Sequence, residues 1–175
     1  MGPRLPCRTL GIGRAIAQAM IRTLVAGAIA GAAGELALNV LTYGDMLVRA
    51  RPASQMPAKT ARRLADEAGV QLATPGERPE KASIREEAAG ALLGSGMAVL
   101  MSVVYAVLRR AGVRLPFPVG GLLLGGAAMA VSDTTATALG ATDPAEWGMA
   151  GWVSDIVPHA AYGIVAAATV DLIDR

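Results

Sequence analysis

Aromatic side chains are scarce in this chain, at 3% of its 175 residues, and charged residues reach only 17%. It has one cysteine and one histidine. Each shortage excludes something. The lone Cys7 forms no intramolecular disulfide, so its redox compartment stays open. No apolar run precedes Cys7, which argues against a lipoprotein processing site. A single histidine with no cysteine nearby leaves a metal centre short of its usual ligands. The arginines are scattered over loops and no aromatic stacking platform accompanies them. The net charge of +2 and the pI of about 9.0 therefore do not mark a nucleic-acid binder.

What is abundant points to lipid. Hydrophobic residues make up 53%, glycines number 21, and the mean hydropathy is +0.44. Ala, Gly, Val and Leu in this proportion suit helices packed closely in a bilayer. The length fits one domain, here a single integral membrane domain over residues 1–175.

A membrane span needs about 20 largely apolar residues. Four segments qualify: about 23–43, 88–108, 119–139 and 152–173. The first has an amphipathic lead-in from Ile12. Arg109 and Arg110 stop the second, and Pro118 fits the start of the third. The predicted fold class is all-α: a four-helix transmembrane bundle with a long charged loop between helices 1 and 2. Arg4, Arg8 and Arg14 precede the first span in the manner of a signal peptide. Arg22 interrupts that pattern, and the apolar run after it is as long as a span, so the first helix is expected to be retained.

Residues 44–87 hold eight Lys/Arg and seven Asp/Glu. Within them, Ser54 to Gly69 has the marks of a short helix: a capping serine, Pro57 in the first turn and a terminal glycine. Ala61, Leu64, Ala65 and Ala68 share one face. That face suits the headgroups, the end of the bundle or solvent. Between spans three and four, Asp143, Pro144 and Glu146 resemble a capping box opening another short helix. Trp147 and Trp152 fit the aromatic belt at a bilayer interface. Gly27 with Gly31, Gly90 with Gly94, and Gly121 with Gly125 form small-xxx-small pairs suited to close helix packing.

With both termini inside, the inner face collects eight basic residues and the outer face eight. The positive-inside rule therefore returns a tie.

The residues that carry chemistry are those placed where charge is costly. Glu35 lies mid-span, where a carboxylate costs about 3 kcal/mol on insertion scales. Asn39 sits one turn along on the same face. Asp133 lies in a run of polar residues, Ser132, Asp133, Thr134, Thr135 and Thr137. Asp155, His159 and Tyr162 form one stripe of the fourth span, with Pro158 expected to break the helix beside them. Glu35, Asn39, Asp133, Asp155, His159 and Tyr162 are thus the candidate intramembrane polar cluster, expected to converge inside the bundle. Each has a plainer reading. Glu35 and Asn39 can simply tie helices together. Asp155, three residues after Trp152, can sit at headgroup depth.

Asp155 and His159 have metal-ligand spacing, but one histidine is too few for a metal to be expected. No nucleophile elbow surrounds Ser132 or Ser154, and Gly11-Ile12-Gly13 follows no strand. Neither an enzyme nor a cofactor is expected.

The stretch from Leu139 to Tyr162 resembles the YagU-like family of small bacterial inner-membrane proteins. The shared features are a Gly-x-Thr-x-Pro loop (Gly140, Thr142, Pro144), an interfacial tryptophan (Trp152), and an acidic residue four before a histidine (Asp155, His159). They cover about the last 40 residues. The resemblance implies a multi-pass protein of the inner (plasma) membrane with an association with acid stress, and it supplies no catalytic residues.

Two functions are carried forward. One is a proton- or cation-linked transporter or channel component working through the polar cluster. The other is a non-transporting accessory or structural membrane protein whose segment 44–87 docks a partner. The lipid bilayer is the expected partner, with a homo-oligomer or another membrane protein left open and no nucleic acid.

Overall fold

The computed structural model describes residues 7–174, with side chains described from Gly13 onward. Arg4 and Arg175 lie outside the described residues, as do the side chains of Cys7 and Arg8. Five α-helices follow one another: α1 (Cys7–Arg49), α2 (Met56–Glu67), α3 (Pro79–Arg110), α4 (Phe117–Ala138) and α5 (Gly148–Ile173). A single 3-10 turn, Pro144–Glu146, precedes α5. Among the described residues there is no strand. By length and composition, α1, α3, α4 and α5 are each apolar enough to cross a membrane.

The packing is that of a protein in lipid. Small residues face inward: Ala26, Ala30, Ala106, Ala128, Ala166 and Ala167 are buried. Large apolar side chains face outward, among them Leu36 and Val40 on α1, Leu92 and Leu100 on α3, and Leu122 and Leu123 on α4. A water-soluble protein would hide such side chains. In a bilayer they meet acyl chains, while small residues let helix backbones approach. The four apolar helices mark a membrane-embedded protein.

The helices meet in the order α3–α1–α5–α4. The α1 helix packs along α3 and α5, and α4 packs mainly on α5. Glycines set each seam. A Cβ on Gly27 would lie 2.5 Å from Val103 Cα, and one on Gly31 would lie 2.6 Å from Val99 Cα. On the other seam a Cβ on Gly121 would lie 2.8 Å from Ile164 Cα, and Gly125 abuts the His159 carbonyl. Of the third expected pair, Gly90 receives α2 while Gly94 faces open space.

The long charged loop does not exist as such. Residues 44–49 continue α1, residues 79–87 open α3, and α2 occupies the middle. Only residues 50–55 and 68–78 are irregular. The physical reason is that charged residues are good helix formers once a helix has left the bilayer. At about 1.5 Å per residue, the 43 residues of α1 reach about 65 Å, twice the hydrocarbon thickness.

The α2 helix lies within the predicted Ser54 to Gly69, but its N-cap is Gln55, which makes no side-chain cap bond, rather than Ser54. The Ser54 hydroxyl accepts from the Met56 amide, Pro57 lies in the first turn, and Gly69 ends the helix at φ +69. Its small face, Ala58, Thr60 and Ala61, is buried, and the α2 backbone at Pro57 and Ala58 lies against Gly90. So α2 lies on the bundle rather than on headgroups. After it, Glu77 accepts from the Thr74 amide and pairs with Arg85. These donors hold the Glu77 carboxyl below its ordinary value of 4.5, the Thr74 amide contributing most.

A carboxyl depressed in the folded state stabilises above its unfolded value and loses that contribution as pH falls through the folded one. The 74–77 turn should therefore hold at neutral pH and loosen under acid. In NMR the Thr74 amide shift should step with a midpoint below 4.5, and Glu77→Gln should abolish the step. A Thr74 resonance indifferent to acid would contradict this.

Candidate functional site at the α4/α5 seam

The six predicted cluster residues divide between two seams. Glu35 lies where α1 meets α3, and the Ser95 hydroxyl meets its carboxyl. Tyr162 belongs to the same region. It is 1% exposed, and its hydroxyl donates to the Ala98 carbonyl at 2.7 Å and contacts Ser102 Oγ at 2.8 Å. The phenol has one proton, given to Ala98, so Ser102 must donate to the phenol oxygen. The ring also fills the space opposite Gly34, where a Cβ would lie 2.7 Å from it. Asn39 stays half-buried one turn from Glu35, which takes its partner from α3 instead. This group ties α1, α3 and α5 together.

The second group is Asp133, Asp155 and His159. Asp133 is 8% exposed. It projects from the polar stretch of α4, where Thr134 donates back to the Ala130 carbonyl and so costs little. Its carboxyl neighbours Asp155 and His159. His159 Nδ1 lies 3.2 Å from Asp155 Oδ1 and 2.9 Å from the Asp155 carbonyl. A carbonyl only accepts, so Nδ1 carries a proton and Nε2 is left to take or release one. Asp133 Oδ1 and Asp155 Oδ2 are both buried and neither has a donor. Two neighbouring carboxyl groups, each with a buried oxygen that can only accept, call for a proton or a cation.

The expected convergence of Glu35 with Asp133 and His159 is therefore replaced by two separate sites. The reason lies in connectivity: α5 joins α1 to α4, and its two faces serve different neighbours. Pro158 does not break α5, which runs unbroken from Gly148 to Ile173 with Pro158 buried inside it. Nor does the Asp143 cap open a longer helix. It accepts from the Ala145 amide at 2.9 Å and supports a single turn.

Two hollows lie by this seam. A groove of about 520 Å³ is lined by Asp133, Thr134, Thr137, Pro144 and Trp152 among others. A hollow of about 150 Å³ is lined by His159, Gly126 and Ile156 among others. Met129 borders both. Asp133 thus borders one hollow and His159 the other. Asp155 lies seven residues into α5, about 10 Å along its axis. Just before it, Ser154 accepts from Arg49, which also pairs with Asp45 at 2.6 Å. These polar groups mark the end of the bundle nearest α2. Trp147 and Trp152 pack there at a 51° tilt with centroids 5.0 Å apart, and the Trp147 indole donates to Thr142 at 2.8 Å. Among the described residues, no group of three or more His, Cys, Asp or Glu side chains is placed to hold a metal.

Sequence reasoning did not single out Ser95, Ser102, Gly34 or Gly163, nor the 2.7 Å Arg109–Asp171 pair that links α3 to α5. A signal existed for the serines. Ser95 and Ser102 are spaced by seven within the apolar span 88–108, one face at two-turn spacing.

No family model, no curated protein and no solved structure matches this chain. The four apolar helices and the geometry of the α4/α5 seam are what place it: a helical, membrane-embedded protein.

Proposed function

We propose that this chain is a multi-pass protein of the inner (plasma) membrane that passes a proton or a small cation at Asp133, Asp155 and His159, as a small transporter or channel component. One observation carries the reading: the neighbouring Asp133 and Asp155 each hold a buried carboxyl oxygen without a donor. A shared proton turns one of them into a donor and the other into its acceptor. His159, hydrogen-bonded to Asp155, extends the pair toward the second hollow. The YagU-like resemblance points to the same membrane.

A second reading has its own support. Glu35 borders neither hollow and is engaged by Ser95. On that seam the polar residues tie helices together, as an accessory or structural protein would require.

Proton flux in proteoliposomes separates the two. Wild type should conduct above empty liposomes. Asp133→Asn and Asp155→Asn, each keeping size and hydrogen bonding, should fall to the empty-liposome level because an amide exchanges no proton. Glu35→Gln should conduct like wild type. Flux in wild type no greater than in empty liposomes would favour the accessory reading. Loss of flux in Glu35→Gln alone would move the proton site to α1.

A further inference from the structure

The two ends of the bundle differ in charge. At the α2 end, residues 44–87 set seven acidic side chains beside eight basic ones, and Asp143 and Glu146 add two more acids. Arg49 and Arg51 pair with Asp45 there, Arg62 with Glu86 and Arg85 with Glu77.

The opposite end gathers the start of α1 and the end of α3. Gly27 lies against Val103 and Gly31 against Val99, so the two helices run antiparallel. Arg22 lies about 8 Å and Arg110 about 10 Å beyond the Gly27–Val103 contact along their helices, on the same side. Arg114 follows in the connection 111–116 to α4. Among the described residues this end sets five arginines against two acids, Asp171 and Asp174. Asp171 holds Arg109 at 2.7 Å. Arg22, Arg110 and Arg114 are exposed and, among the described residues, form no ion pair. Val113, Leu115 and Phe117, next to them in the chain, are exposed too.

We infer that this end of the bundle binds anionic phospholipid headgroups, with Arg22, Arg110 and Arg114 at phosphate depth and Val113, Leu115 and Phe117 in the leaflet beneath. The inference rests on the membrane-embedded fold and makes no use of the carboxyl pair.

Three features select this partner. A guanidinium group presents a planar fork of donors that matches phosphate oxygens. Basic side chains at a membrane surface are drawn to anionic lipid, and here no acid neutralises them. A zwitterionic headgroup would bring a second cation to the same place. The apolar side chains decide between a lipid and a soluble anion. A soluble anion would leave Val113, Leu115 and Phe117 facing water, whereas a leaflet covers them and seats the arginines at its surface.

Native mass spectrometry of the full-length protein reads this directly. Detergent-solubilised protein is offered equal amounts of dioleoylphosphatidylglycerol and dioleoylphosphatidylcholine. Phosphatidylglycerol should be retained in preference. Arg110→Gln and Arg114→Gln should each weaken its binding about five-fold, as loss of one basic residue at a membrane surface does. Lys59→Gln with Arg63→Gln, at the α2 end, should leave the preference intact. Val113→Ser with Leu115→Ser keeps every arginine and should also weaken retention, which covers the case where an arginine variant does not fold.

Equal retention of the two lipids would overturn the inference. A preference that survives in both arginine variants and falls in the α2-end variant would overturn it by moving the site to the other end. Displacement of the lipid by an equal concentration of glycerol 1-phosphate would overturn it in favour of a soluble anion site.

Discussion

Gly163→Val is expected to break the α4/α5 seam and take the Asp133–Asp155–His159 site with it. The Gly163 position abuts the Gly121 carbonyl and the backbone of Gly125. A side chain there meets main chain, which has no rotamer to change. Overpacking of side chains against one another costs about 1–3 kcal/mol, and contact with backbone falls at or beyond the upper end. Helix association in lipid rests on such close approach, so little else holds α4 in place. The variant should insert, since its hydropathy hardly changes, yet lose its thermal transition in detergent and lose proton flux. Gly94→Val is the control, because Gly94 faces open space. Equal melting of both variants and wild type would show that the seam is not set by glycine.

Tyr162→Ala should be nearly as damaging, on the other seam. The ring is 1% exposed and lies against Gly34, and its hydroxyl joins Ala98 and Ser102. Truncating a buried aromatic residue to alanine costs about 3–5 kcal/mol. Tyr162→Phe keeps the ring and should cost only about 1 kcal/mol, because it removes one buried hydroxyl. Thermal unfolding in detergent should order the proteins as wild type, Phe, Ala, with the larger gap between Phe and Ala. A larger gap between wild type and Phe would mean that the hydrogen bonds, not the ring, hold α1, α3 and α5 together.

Length and hydropathy were enough to place the four apolar helices, because a span must satisfy its own backbone and cover about 30 Å of hydrocarbon. The α2 helix was legible for a different reason: Ser54, Pro57 and Gly69 act locally. Helix ends were less legible. Charge stops a span at the bilayer surface, but it does not stop the helix, so α1 and α3 run on into what read as loop.

The site was half legible. Asp133, Asp155 and His159 could be picked out because charge in lipid is rare, and the structure brings them together. Their separation from Glu35 could not be read. It depends on which helix neighbours which, and hydropathy is blind to neighbours. Tyr162 misled for the same reason. It shares a stripe with His159 on α5, but its large ring turns to Gly34 and α3 while His159 borders the α4 side.

The central claim is that Asp133 and Asp155 hold one exchangeable proton between them. Infrared spectroscopy of the protein in lipid reads this directly through the carbonyl stretch of a protonated carboxyl group, which a carboxylate lacks. A shared proton predicts such a band at neutral pH in wild type, its loss in Asp133→Asn and in Asp155→Asn alike, and its persistence in Glu35→Gln. A wild-type spectrum without the band, or a band that survives in both aspartate variants, would contradict the claim.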